Sequence, residues 1–153
     1  MEFILIMNIF ITIVTQIIYT FCATCAFAIM FDVPKKEISW CGFTGAIGQT
    51  VYTLLKEFNC NILIQFFLAT LIVAYLSRIL AIHRHTPVTV YLTSGIIPLV
   101  PGAYFYYAIY NIIINNNHSA LIYTIDTFKI AGAISVGIII VLALPISMFH
   151  KSN

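Results

Sequence analysis

Long apolar runs separated by short polar punctuation set the pattern of this chain. The first run extends from Phe3 to Phe31 without one Asp, Glu, Lys, Arg or His. As a helix it measures about 43 Å at 1.5 Å per residue, against a hydrocarbon slab of roughly 30 Å, so it must tilt or reach into the interface. Asp32-Val33-Pro34-Lys35-Lys36-Glu37 stops it with charge and a helix breaker. A second segment runs from Ile38 to Leu55 and ends at Lys56 and Glu57. A third runs from Asn61 to Ser77 and is closed by Arg78, with His83, Arg84 and His85 in the loop beyond it. The fourth, from Pro87 to Ile114, is interrupted by Pro98 and Pro101. The fifth runs from Phe128 to Phe149, with Lys129 near its start and His150 and Lys151 after it.

The pattern predicts an all-α integral membrane protein: one domain over residues 1–153 with five transmembrane helices over 3–31, 38–55, 61–77, 87–114 and 128–149. The second and third segments are near the lower limit of about 17 residues for a crossing, so four spans result if one of them is re-entrant. Glu2 without a preceding Lys or Arg, and an apolar run too long for a signal h-region, predict a retained first helix rather than a cleaved signal.

Composition agrees with a lipid solvent. Of 153 residues, 61% are hydrophobic and 8% charged. Soluble domains are about 25% charged, and so few charges cannot cover a soluble surface. The net charge of +2, with no basic cluster, gives no nucleic-acid partner. The placement of charge says more. With five crossings, Lys35, Lys36, Arg78, Arg84 and Lys151 fall on one side and Lys56 and Lys129 on the other. The positive-inside rule then puts the N-terminus outside and the C-terminus in the cytoplasm.

Small residues mark where helices approach. Gly42, Gly45 and Gly48 recur every three residues and share one side of the second segment, and Ala133 and Gly137 have small-xxx-small spacing on the fifth. Such a face serves packing within the chain or a seam against a second subunit, a homo-oligomer included. Ser94-Gly95-Ile96-Ile97-Pro98-Leu99-Val100-Pro101-Gly102 is the most informative stretch. Pro98 removes the hydrogen bond to the carbonyl of Ser94, and Pro101 the one to Ile97. Backbone of that kind persists at membrane depth only where protein or a wet cavity surrounds it, and transporters build substrate sites from discontinuous helices. A second half-helix starting near Ala103 would present N–H groups that favour an anion such as a carboxylate. Gly95, Pro98, Pro101 and Gly102 would shape this break, while Thr93 and Ser94 would offer hydroxyls to the path. The same stretch also reads as a structural kink without a ligand. Tyr104, Phe105, Tyr106, Tyr107 and Tyr110 follow it and read as an interfacial aromatic belt, with the lining of a vestibule as the alternative.

Several chemistries are absent from the pattern. No Asp, Glu, Lys or Arg lies deep in a predicted span; the buried polar candidates are Gln16, Gln49, Thr50, Gln65, Thr93, Ser94 and Asn111. Proton relays normally need an intramembrane acid or histidine, so a partner would have to supply one. Cys22 and Cys25 have C-x-x-C spacing but sit within an apolar run without a second pair, and read as packing residues. His83 and His85 lack further metal ligands nearby. Asn117-His118-Ser119 fits the glycosylation acceptor pattern, which matters only in a secretory pathway. No nucleophile elbow, P-loop, zinc-hydrolase or dinucleotide motif appears, so neither enzymatic activity nor a cofactor or metal is expected.

The run Gly95-Ile96-Ile97-Pro98-Leu99-Val100-Pro101-Gly102 resembles the signature of the threonine/serine exporter family, and the chain as a whole resembles the small hydrophobic subunit of its split, YjjB-type members. Phe31-Asp32-Val33-Pro34-Lys35-Lys36, Trp40-Cys41-Gly42, Gly45-Ala46-Ile47-Gly48 and Arg84-His85-Thr86-Pro87 resemble its other landmarks in order, over roughly residues 10 to 148. Ser94 stands where that pattern has proline, and the basic loops are thinner. The resemblance implies an inner-membrane component for export of small amino acids or dicarboxylates such as threonine, serine or succinate. It also implies a larger membrane subunit of the same family as partner. The alternative is a subunit that transports nothing and stabilises that partner.

Overall fold

The computed structural model describes residues 2–145, with side chains placed at Met7 and from Ile11 onward. Six α-helices follow one another: α1 Glu2–Met30, α2 Ile38–Glu57, α3 Ile62–Arg84, α4 Val88–Ile96, α5 Gly102–Ile113 and α6 Asn117–Ala143. A 3₁₀ turn, Ile97–Leu99, lies between α4 and α5. Among the described residues there are no strands.

Four of the helices end in the same way, and the local sequence explains it. Asp32, Asn59, His85 and Asn115 adopt positive φ, between 51° and 58°. Asn, Asp and His are the non-glycine residues that tolerate this region best. Each sits just past a helix, and the next N–H reaches back five residues: Val33 to Ala28, Cys60 to Leu55, Thr86 to Ala81 and Asn116 to Asn111, at 2.9–3.2 Å. This is the Schellman arrangement, which satisfies carbonyls that lipid could not. Asn61 and Asn116 then cap the following helices, their Oδ1 atoms accepting from Leu63 N–H at 3.0 Å and Ser119 N–H at 3.3 Å. Asn115-Asn116-Asn117 is therefore a helix stop, a cap and a helix start in three residues.

Central position belongs to α3. The helices α2, α4 and α6 pack against it, while α1 lies mainly on α2 and α5 on α6. Phe66, Ala69 and Val73 of α3 join Leu99 of the 3₁₀ turn and Ile130 and Ile134 of α6 in one core cluster. A second gathers Ala28, Val33, Cys41, Ala81 and Tyr91 where α1 and α3 end and α2 and α4 begin. Ile11, Val14, Ile18, Tyr19 and Ile29 of α1 face outward, as do Phe105, Ile109 and Ile112 of α5.

The helices long and apolar enough to cross a bilayer are Ile11–Met30, Ile62–Arg84 and Asn117–Ala143. Val88–Leu99 and Gly102–Ile113 pass together, bent by 48°, and make a fourth if they form one span. The helix α2 is long enough, but Gly, Thr and Gln dilute it and Lys56 and Glu57 end it. Two boundaries differ from the sequence-based expectation. The third helix runs through Arg78 to Arg84 instead of closing at 77, because Arg78 is bonded inside the bundle rather than exposed in a loop. The last helix starts at Asn117, well ahead of 128, because Asp126 and Lys129 interrupt hydropathy without interrupting helical hydrogen bonding. Residues 146–149 of the expected fifth span, and Lys151, lie outside the described residues.

Candidate functional site

Polar groups concentrate at two places inside the bundle. The first is the end where α1 and α3 stop. Glu37, buried at the entrance to α2, accepts from Arg84 Nε and from Arg84 Nη2 at 2.9 Å. Tyr91 Oη of α4 donates to the same carboxylate at 2.6 Å and lies 2.8 Å from Thr86 Oγ1. The Arg84 guanidinium also stands 5.3 Å over the Trp40 ring, within cation–π range. The hydrogen bond from Arg84, more than that from Tyr91 or the nearby charges, holds the Glu37 carboxyl below its ordinary pKa, and burial opposes the shift. Slightly deeper, Arg78 Nη1 donates to the carbonyls of Val141 at 2.5 Å and Leu142 at 2.9 Å, closing the last turn of α6. Arg78 is 7% exposed. The expectation that spans hold no deep charge is thus corrected: Arg78 is buried on α3, and Asp126 and Lys129 lie on α6, 3.5 Å apart and partly exposed.

The second place is the α4–α5 break. Leu99 is buried in the central core and pins the turn against α3. The carbonyl of Ile97, deprived of its helical partner by Pro101, accepts from Val100 N–H at 3.1 Å. Gly102 N–H donates to Val100 at 2.7 Å, and the first α-helical bond of α5 runs from Phe105 to Pro101 at 3.1 Å. The N–H groups of Ala103 and Tyr104 precede that bond, and helix geometry leaves such groups without an intrahelical acceptor. Beside them is a cavity of about 140 Å³, lined by Gln49 and Tyr52 of α2, Phe66 of α3, and Pro98, Val100, Pro101, Gly102, Ala103 and Tyr104. Gln49 Oε1 is shielded from solvent and has no hydrogen-bond partner. A buried acceptor left unmade costs about 1–3 kcal/mol, which makes it an exception needing a cause.

The residues singled out in the sequence separate accordingly. Pro98, Pro101 and Gly102 meet at the cavity. Gly102 has open space where a Cβ would stand. Gly95 lies between α2 and α3, where a Cβ would come within 2.9 Å of Thr44 Oγ1 and 3.1 Å of Val73 Cγ1. Ser94 is fully buried and its hydroxyl donates to Val90 O at 3.1 Å. Thr93 is exposed, and Thr93 and Ser94 both line a different cavity, of about 250 Å³, with Asp32, Val33, Pro34, Thr89 and Val90. The two hydroxyls therefore do not join the prolines at one site. Gly42 packs on Phe21 and Cys25 and Gly45 on Thr24, all of α1; Gly48 packs on Val73 of α3. A Cβ at any of the three would fall within 2.6 Å of a neighbouring side-chain atom in the same chain. Phe105, Tyr106, Tyr107 and Tyr110 are exposed, whereas Tyr104 turns into the cavity. The cysteines are unbridged, and the Cys25 and Cys41 thiols point at the carbonyls of Ile38 and Val90. Sequence reasoning missed the Glu37–Arg84–Tyr91 cluster, for which the Glu, Arg and Tyr at three helix ends were the available signal.

The model of one protein family, described as Threonine/Serine exporter, ThrE, matches residues 16–144. The chain belongs to the threonine/serine exporter family. That is a family of transporters rather than enzymes, and with its apolar helices this member is a membrane protein. An uncharacterized protein of Haemophilus influenzae is 29% identical to it over 136 residues. The alignment covers 83% of this chain and 44% of that relative, so the exporter-family chain spans less than half the relative's length. No solved structure matches it.

Proposed function

We propose that this chain is the small membrane subunit of a two-component exporter for small amino acids or dicarboxylates of the threonine/serine or succinate type, and that the α4–α5 break forms part of its substrate path. The carrying observation is the cavity of about 140 Å³ at the start of α5, walled by Pro98, Pro101 and Gly102. There the Ala103 and Tyr104 N–H groups and the positive end of the α5 dipole favour a carboxylate. In this reading α2 and the bent α4–α5 pair both cross the bilayer, giving five crossings with the N-terminus outside and the C-terminus in the cytoplasm. The basic side chains at the Glu37–Arg84 end support that orientation. The larger partner subunit would carry the part of the pathway, and the titrating group, that this chain's unexplained share of its longer relative leaves open.

Replacing both Pro98 and Pro101 with alanine tests the reading. Restoring the helical N–H groups straightens the span and misplaces the α5 start. Efflux of labelled threonine or succinate from loaded cells should fall roughly tenfold or more with membrane insertion unchanged. Unaltered efflux would instead support a subunit that only stabilises its partner.

A further inference from the structure

The helix α5 carries two unlike flanks at the same height. Among the described residues it is backed by α6 alone, and only its first turn reaches α2 and α3, at the break. Ala108 and Asn111 are its buried residues. Residues two apart on a helix stand about 3 Å apart along its axis and about 160° apart around it. Phe105 and Tyr107 are such a pair, and so are Tyr110 and Ile112. One flank therefore exposes Phe105, Ile109 and Ile112, and the other Tyr107 and Tyr110, with Tyr106 stacked on Tyr110 at 6.2 Å. An interfacial belt sorts side chains by depth and leaves the two flanks of a helix alike. Sorting around the axis at one depth means that the flanks meet different surroundings.

The Phe105 flank is dry. Between it and α6 is a cavity of about 330 Å³, lined by Phe105, Ala108, Ile109, Ile112 and Phe128 among others. Thr124 and Thr127 also stand in its wall, yet their hydroxyls donate to the carbonyls of Ala120 at 2.8 Å and Tyr123 at 2.7 Å and offer it no donor. An apolar space of that kind excludes water. The tyrosine flank differs. From Tyr104 at the break, ring centroids follow at 6.4 Å to Tyr123 of α6, 5.4 Å on to Tyr107 and 5.5 Å on to Tyr106. A phenol hydroxyl stands too far from its own backbone to fold back as a threonine does, so hydrocarbon would leave it unmet. On α6, Ser119 and Asp126 share the side of Tyr123, one turn before it and one turn after. Asp126 pairs with Lys129 at 3.5 Å, both partly exposed, and ions at membrane depth face a protein interior or water. Close helix seams in lipid use small residues, whereas between Tyr104 and Tyr110 this flank presents rings.

We propose that the tyrosine flank of the α5–α6 hairpin lines an aqueous vestibule, running from the break toward the end of the bundle away from the Glu37–Arg84 cluster, while the Phe105 flank faces acyl chains. The vestibule rests on the export reading above for its role as one mouth of the substrate path; its wetting does not.

The test labels single cysteines in a full-length chain whose own cysteines, Cys22, Cys25, Cys41 and Cys60, are replaced by alanine. A charged methanethiosulfonate is applied to membrane fragments open on both faces, so orientation does not enter. A hydrated thiol ionises and reacts, so Tyr107→Cys and Tyr110→Cys should be modified roughly tenfold or more faster than Phe105→Cys and Ile112→Cys. Equal rates on both flanks would make the tyrosines a belt, and slow labelling at all four positions would mean that lipid or a partner covers them; either overturns the vestibule. Where a cysteine variant does not insert, tryptophan at the same positions in a Trp40→Phe chain reads the same contrast. Iodide should quench Tyr107→Trp and Tyr110→Trp, and brominated lipid Phe105→Trp and Ile112→Trp; no difference between the flanks overturns the proposal. Neither readout needs transport. Wild-type vesicles that move neither threonine nor succinate would overturn the export reading and the vestibule's role in it, while the labelling contrast still decides whether this flank is wet.

Discussion

The Glu37–Arg84 end and the α4–α5 break place polar groups inside the same bundle with opposite results. At the first, one carboxylate collects hydrogen bonds from Arg84 and Tyr91, and Thr86 stands beside Tyr91. At the second, an amide oxygen beside a cavity has none. Fully satisfied polar clusters specify and stiffen a packing, and an unmet buried group weakens it. The contrast separates a closely bonded helix junction from a region that encloses a cavity.

Substitutions sharpen that contrast in a definite order. Arg84→Ala leaves Glu37 buried without its cationic partner, and the unfolding temperature in detergent should fall by roughly 8 °C or more. The sign of the pH dependence follows from the lowered Glu37 pKa. Its contribution is fully present above the ordinary glutamate value of about 4.3 and is lost as pH falls through the lower folded value, so acid melts should steepen there in the wild type and flatten in Glu37→Gln. Arg78→Met keeps length but abandons the Val141 and Leu142 carbonyls, at about 1.5–3 kcal/mol in denaturant titrations. Gly48→Ala drives a methyl to within 2.3 Å of Val73 Cγ2 and should cost about 1–3 kcal/mol. Gly102→Ala, with nothing within 4 Å, should stay within about 0.5 kcal/mol of wild type. A break as sensitive to Gly102→Ala as α2 is to Gly48→Ala would erase the distinction between a tight region and an open one.

How much of this was legible in the sequence follows from what sequence encodes locally. Apolar runs marked the helices, and the polar residues after them marked the stops, because Asp32, Asn59 and Asn115 supply a left-handed residue where lipid forbids frayed ends. Pro98 and Pro101 marked where helical bonding must fail. Arg78 looked like a loop charge because its acceptors stand 63 and 64 residues away, on a helix whose position no local pattern gives. Thr93 and Ser94 looked like part of the break, yet both line the cavity beside Asp32, with Ser94 buried and Thr93 exposed, because neighbours on a helix point about 100° apart. Gln49 was visible as an amide in an apolar segment. Its lack of a partner was not, since that depends on what α3 and the break bring beside it.

The Arg78 bonds also bear on how the chain is made. A ribosome adds roughly 5–20 residues per second, so α3 enters the membrane several seconds before the carbonyls of Val141 and Leu142 exist. Until α6 arrives, the guanidinium must be hydrated or lodged against the insertion machinery, which ties completion of the middle of the bundle to the synthesis of a helix that lies far along the chain from α3.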